Sequence, residues 1–379
     1  MRAKRIQRMI EKNRNDFFGI LLRKYPAFVL SDRESVVTDI PAFVFHDVTV
    51  NLLEPMLEFL AENKYRTLTA DDYVERVVRR QRGQECEVLL TFDDSHKSLY
   101  SVAYPALKRY GLKAVAYIVP GMTPEYDVST SKMWEASLCT WREITEIHES
   151  GVLDVQSHSM YHHSISISDR LIDFVRPNLT FSFLDSDLAP LTQRDSDTLP
   201  EDGYGTPIYE WGSRFSVKRA FCESSSVVDT CKQYVKEHGG AAYFRLPDWR
   251  HRLKRIWADA RIRHPEAGFE DLTEQRDAIL EDFRQSKREI ERRLPGKRVR
   301  HFCYPWFRGS PLAVQLSAEA GYISNAWGSL PPTSFHQGGL PIAINRLSPA
   351  YIWRLPGKGR KRITAVLWGR FSQAYSVPV

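Results

Sequence analysis

The chain is short of several features, and each shortage excludes something. No apolar run reaches the 18 residues that suggest a membrane-spanning helix. Gly and Pro, 20 and 21 of 379 residues, are too few for a collagen-like or low-complexity chain. Cysteine is sparse: Cys86, Cys139, Cys222, Cys231 and Cys303 form an odd set without a C-x-x-C pair. That excludes a disulfide framework and argues against a thiolate zinc site; Cys222 and Cys231 would pair only after export. No G-x-G-x-x-G or Walker-type loop follows a strand-like segment, so nucleotide binding has no support. The apolar stretch Phe17–Leu22 is short, runs into Arg23 and Lys24 and meets no small-residue cleavage site. A secretory leader is therefore not expected, and the expected setting is cytoplasmic.

Acid is missing from the tail. Residues 321–379 carry seven Lys/Arg and no Asp or Glu, and residues 1–24 carry eight Lys/Arg against Glu11 and Asp16. The net charge of +6 thus hides two basic ends around an acidic body. Two readings stay open: solvated termini, or contact with an anionic membrane surface. Aromatics interleaved with basic residues on one face are not seen, so no nucleic-acid partner is expected.

What is present is an alternation of strand-length apolar runs with helix-period stretches. Ala42–Phe45, Val88–Phe92, Ala114–Val119, Val152–Val155, Val299–Cys303, Tyr322–Trp327 and Pro341–Leu347 read as strands. Leu52–Asn63, Asp71–Arg80, Leu99–Tyr110, Trp141–Ser150, Glu274–Leu294 and Leu312–Ala320 read as helices, with Gly111 and Gly151 as stops. Such order predicts an α/β fold, a parallel sheet with helices outside. Periodicity alone does not separate a wound sheet from a barrel. Between residues 166 and 271 the strand periodicity fades; only Ser225–His238 and Trp249–Ile262 look helical. This stretch reads as an insertion on a strand-to-helix loop, a lid or a structural elaboration.

Two segments carry chemistry. In Leu89-Leu90-Thr91-Phe92-Asp93-Asp94, two adjacent carboxylates follow a buried strand. Repulsion between them is removed either by a nearby cation or by solvating one while Asp94 or Ser95 caps the next helix. In Ser157-His158-Ser159-Met160-Tyr161-His162-His163, His158 and His162 are spaced to converge on one ion. One Asp and two His form a three-ligand set that leaves a coordination position open for water, with the spare carboxylate placed to take that water's proton.

These segments resemble a known family. Thr91-Phe92-Asp93-Asp94 and His158-Ser159-Met160-Tyr161-His162 resemble the T-F-D-D and H-[ST]-x-x-H motifs of NodB-homology polysaccharide deacetylases (carbohydrate esterase family 4). His301-Phe302-Cys303-Tyr304-Pro305-Trp306 resembles that family's F-R-x-P-[YF] motif. The likeness implies a distorted (β/α) barrel of NodB type with a large insertion. The deacetylase barrel would take 41–165 and 272–350, the insertion 166–271, and basic extensions 1–40 and 351–379. It also implies roles: Asp93 as catalytic base; Asp94, His158 and His162 as ligands of a divalent metal, Zn²⁺ by the His-rich set; and Trp306 as a sugar-site wall whose backbone N–H helps hold the oxyanion. The activity implied is removal of an N-acetyl group from an amino sugar of a polysaccharide or glycoconjugate. Alternatives are hydrolysis of a non-sugar C–N bond, or a degenerate domain that binds a glycan or partner without turnover.

Three departures from the family pattern bear on the mechanism. Cys303 stands where the family has the Arg that pairs with the catalytic Asp, so the base is expected to lose its cation. Leu347-Ser348-Pro349-Ala350 lies near the place of a Leu-x-x-His motif and has no histidine. That leaves His336 and His46 as candidates for the general acid. Ser95 replaces a common Gly. Trp327 would correspond to the family's hydrophobic-patch tryptophan or simply pack in the core.

Overall fold

In the computed structural model the described residues are 25–32, 40–79, 86–125, 137–162, 164–177, 179, 201–328 and 341–375. The strands in chain order are β1 (Ala42–Phe45), β2 (Arg66–Thr67), β3 (Glu87–Asp93), β4 (Ala114–Ile118), β5 (Leu153–Ser157), β6 (Ser164–Phe174), β7 (Pro207–Ser213), β8 (Phe221–Cys222), β9 (Gly268–Phe269), β10 (His301–Cys303), β11 (Ser324–Trp327) and β12 (Ile342–Leu347). The helices are α1 (Ala27–Leu30), α2 (Val50–Glu62), α3 (Ala70–Val78), α4 (Tyr104–Tyr110), α5 (Trp141–Glu149), α6 (Ser225–Glu237), α7 (Trp249–Arg263), α8 (Leu272–Arg293), α9 (Pro311–Glu319) and α10 (Ile363–Tyr375).

The sheet runs β1-β12-β11-β10-β5-β4-β3, and β1 pairs with β3 as well as β12, closing a seven-stranded parallel barrel. β2 is an eighth strand lying on the start of β3. Closure explains the uniform burial along β1, β3 and β4. A strand packed on both faces has no polar side to alternate with. The barrel expectation holds. By its contacts the chain divides into two units, Met1–Tyr117 with Glu143–Gln156 and Ile323–Val379, and Ile118–Arg142 with Ser157–Tyr322.

In the first unit, α2 buries Leu53, Met56, Leu57 and Leu60 at the i, i+3, i+4, i+7 spacing of its sequence, and Phe59 beside them. α3 is fixed by a reciprocal capping box between Thr69 and Asp72. The helix expected over Leu99–Tyr110 is divided: Leu99–Ala103 form a π turn and α4 follows, with Pro105 lacking a backbone donor in its first turn. Gly111 ends α4 at φ 64°. The basic C-terminal stretch is partly structural. Arg354 is 1 % exposed and donates to the Val29 carbonyl, while Arg360 donates to the Phe28 and Ser31 carbonyls. These arginines dock α1 instead of facing solvent.

In the second unit, β6 and β7 form an antiparallel pair with register shifts between Ser166 and Leu171 and between Leu171 and Asp173. Those irregularities break strict alternation, which is why this stretch does not look strand-like in sequence. α6 and α7 match the two helices expected there; they pack around Phe174, Cys231, Val235, Tyr243 and Leu253. α8 starts with a capping box from Asp271 and Glu274 and buries Phe283 against Phe302, Tyr304 and Tyr322. Cys139, Cys231 and Cys303 are buried and Cys222 is exposed. Among the described residues no helix is long and apolar enough to cross a membrane.

Candidate functional site

In the first unit the chemistry gathers at the carboxyl end of β3. Asp93 is its last residue and is 2 % exposed. Arg346, projecting from β12, meets it with both terminal nitrogens: Nη1 to Oδ1 at 2.6 Å and Nη2 to Oδ2 at 2.9 Å. The same guanidinium donates from Nη1 to Thr91 Oγ1 at 3.0 Å and from Nε to the Trp327 carbonyl at 3.0 Å, and it lies over the Tyr117 ring. Thr91 Oγ1 in turn donates to the Phe43 carbonyl. A fully buried ion pair is tolerated when its remaining donors are satisfied in this way. The expectation that Cys303 leaves the base without a cation is therefore corrected: the cation comes from another strand.

Asp94 follows at φ 71° and Ser95 at φ 59°. Two non-glycine residues in left-handed backbone cost free energy and mark a turn held for a purpose. They turn the chain just ahead of the helical segment that begins at Lys97. His46 Nε2 and His96 Nε2 each lie 3.9 Å from Asp94 Oδ2. His46 is thus beside the carboxylate pair, as expected for a residue ending β1. His96 is an addition that no sequence motif singled out. His336 lies outside the described residues.

His158, the residue after β5, lies in the second unit, and its backbone N–H donates to the Ile118 carbonyl at 2.8 Å. Its Nδ1 lies 2.9 Å from the Cys303 carbonyl. A carbonyl only accepts, so Nδ1 carries the proton and Nε2 presents a lone pair, the tautomer of a metal ligand. Ser159 at φ 70° and His162 at φ 54° curl the following loop. Ser159 Oγ accepts from the His162 N–H at 2.8 Å, and Asp282 Oδ1 from the Met160 N–H at 2.9 Å. The result brings the two imidazoles together, with ring centroids 5.0 Å apart. Trp306, in a turn with φ 51°, sets its ring edge-on to His162 at 4.3 Å. His158, His162 and Trp306 thus lie side by side in the second unit.

Sequence reasoning missed Arg346 and Asp282. Arg346 had a signal, a lone cation inside an apolar strand, but it was counted with the basic tail. Asp282 sits on the buried face of an otherwise charged helix, and only its burial distinguishes it. Burial pushes its carboxyl up to about 7, against the downward pull of the Met160 N–H and of Arg214.

The closed (β/α) barrel matches the fold of solved deacetylase structures. Residues 80–180 match the polysaccharide deacetylase family model. The Bacillus subtilis protein YxkH, a polysaccharide deacetylase by name, is 33 % identical over 88 residues, 21 % of this chain and 32 % of YxkH. The poly-β-1,6-N-acetyl-D-glucosamine N-deacetylase of Staphylococcus aureus is 21 % identical over 125 residues, 33 % of this chain and 41 % of that protein. The matches thus span well under half the length of these relatives. The BpsB deacetylase domain of Bordetella bronchiseptica shares the fold, with a TM-score of 0.50 and 16 % identity over 84 % of this chain and 98 % of that one.

Proposed function

We propose that the chain is a metal-dependent hydrolase that removes the N-acetyl group from an amino sugar of a polysaccharide or glycoconjugate, releasing acetate and a free amine. One observation carries the reading: within the second unit the buried imidazoles of His158 and His162 come together with ring centroids 5.0 Å apart, and Asp94, buried in the first unit, is the carboxylate we assign to the same ion. Two imidazoles and a carboxylate suit Zn²⁺ and leave room in its coordination shell for a substrate or water. Asp93 is not assigned as a ligand, because the guanidinium on both of its oxygens disfavours a second cation there. A zinc ion, when bound, would polarise the acetamide carbonyl and make water a better nucleophile at neutral pH.

The chain's own residues supply the rest. Arg346 holds Asp93 as an oriented carboxylate, and each of its oxygens keeps a lone pair to accept the proton of the attacking water. Trp306 walls the sugar site, and its backbone N–H helps hold the developing oxyanion. His46, beside Asp94, is the described candidate for protonating the leaving amine; His336 keeps that role as a reading of the sequence alone.

The experiment is acetate release from an N-acetylglucosamine oligomer by the wild type and His158→Ala, with metal content measured on both. Wild-type-like turnover in the variant would reject the assignment. An absence of divalent ion in the wild type, even on titration, would favour the non-turnover alternative. Arg346 gives Asp93 the cation that Cys303 does not supply, which supports turnover over that alternative. A non-sugar amide substrate would appear as turnover of simple acetanilides but not of glycan. Contact with an anionic membrane would fall to Lys358, Lys361 and Arg362 among the described C-terminal cations, since Arg346, Arg354 and Arg360 are engaged internally.

A further inference from the structure

The second unit holds a cavity of about 440 Å³ that the Asp–His chemistry does not use. Three arginines and two aromatics dominate its wall: Arg176, Arg245, Arg250, Phe244 and Trp249. They come together because Pro247 and Asp248 break the chain between the 3₁₀ turn Gly240–Arg245 and α7. Trp249 and Arg250 open α7, so the positive end of a fifteen-residue helix adds to the same wall. Phe244 and Trp249 meet edge to face at 5.0 Å and 69°, forming an angled apolar wall, and the Arg250 guanidinium lies over the Trp249 ring at 4.8 Å.

Among the described residues the charge there is not balanced. Asp173 pairs with Arg250 at 2.7 Å and lies 3.8 Å from Arg176 Nε. Arg176 Nε is buried and makes no hydrogen bond. Among the described residues no ion pair or side-chain hydrogen bond engages Arg245. Like charges gathered in a confined space repel one another. An oxyanion would relieve that repulsion, and the guanidinium fork fits carboxylate and phosphate with two parallel hydrogen bonds. The volume is that of a small-ligand site, enough for one or two sugar rings and not the long open channel of a single-strand binder.

We infer that this cavity binds an anionic sugar unit of a glycan, its carboxylate or phosphate held by Arg176 and Arg245 and its C–H face laid on Phe244 and Trp249. The oxyanion follows from the cavity; that its carrier is a sugar rests on the deacetylase reading.

Calorimetric titration of the full chain tests this with tetragalacturonate, a hexose phosphate and neutral chitotetraose as probes. Saturable binding is expected for at least one acidic probe, and the acidic probe that binds tighter identifies the oxyanion. Arg245→Met is expected to weaken that binding about tenfold, and Arg245→Glu more, at unchanged unfolding temperature, because Arg245 is exposed and supports no packing. The inference is overturned if neither acidic probe saturates, if both variants bind like the wild type, or if a single-stranded oligonucleotide displaces the acidic probe and binds more tightly. Acetate release from an N-acetylglucosamine oligomer is read in parallel. Its absence, with Arg245-dependent acidic binding intact, would remove the deacetylase reading and leave this site standing.

Discussion

Arg346 and Asp93 lie 253 positions apart in sequence, yet they form a two-pronged ion pair with both side chains wholly buried. The pair orients the carboxylate proposed as base and compensates a charge that could not otherwise sit on a barrel strand. Arg346→Met should leave that charge buried and alone, at a cost of about 3–5 kcal/mol in stability. Acetate release should fall at least about a hundredfold, in line with the loss of a positioned general base. Arg346→Lys restores the charge without the fork and should rescue stability better than turnover. Chemical denaturation and steady-state kinetics on both variants check this; a methionine variant as stable and active as the wild type would remove the role.

The ligand set makes a separate, activity-free prediction. An ion that binds only the folded chain stabilises it by about 2.7 kcal/mol at a hundred times its dissociation constant. Zinc added to chelator-treated protein should therefore raise the unfolding temperature. The rise should be largely lost in Asp94→Asn and in His162→Ala. Equal rises in wild type and both variants would place the ion elsewhere.

How much of this was legible in the sequence depends on whether the signal is local. Ala42–Phe45, the α2 stripe and the starts of α6 and α7 follow from periodicity and were read to within a residue or two. The Asp and His pairs were legible because each follows a buried strand. Arg346 was not, because pairing between β12 and the end of β3 depends on barrel closure, and composition counts a charge without its burial. The β6–β7 pair was hidden by its own bulges. The acid lying under the His loop was hidden because Asp282 looks like any other charge on α8 until the helix is packed.

Asp282 should make stability depend on pH in an unusual direction. Burial raises its carboxyl from 3.8 to about 7. The folded chain therefore holds a proton that the unfolded chain gives up. The resulting penalty is absent below about pH 4, grows as pH rises and is complete above about 7. Asp282→Asn keeps an acceptor for the Met160 N–H and never ionises. It should match the wild type near pH 4 and exceed it by a few kcal/mol at pH 8, each pKa unit being worth about 1.4 kcal/mol. Denaturant titrations across that range decide it; a difference that does not change with pH would mean Asp282 is not proton-linked.

Gly121 controls the same loop from the other side. Its N–H donates to the Met160 carbonyl at 2.9 Å. A Cβ at this position would sit 2.4 Å from the Tyr161 ring and 2.6 Å from the Met160 carbonyl oxygen. The ring can swing away, but the carbonyl is backbone and is tied to the loop between His158 and His162. Gly121→Ala should therefore cost about 1–3 kcal/mol, as overpacking does. The strain should also reach the ligands, so zinc affinity should drop more than in a control of equal destabilisation, such as Leu253→Val in the α6–α7 core. Measuring zinc affinity against unfolding free energy in the two variants separates the effects. If both fall on one line, the close approach at Gly121 serves packing alone and does not set the spacing of the histidines.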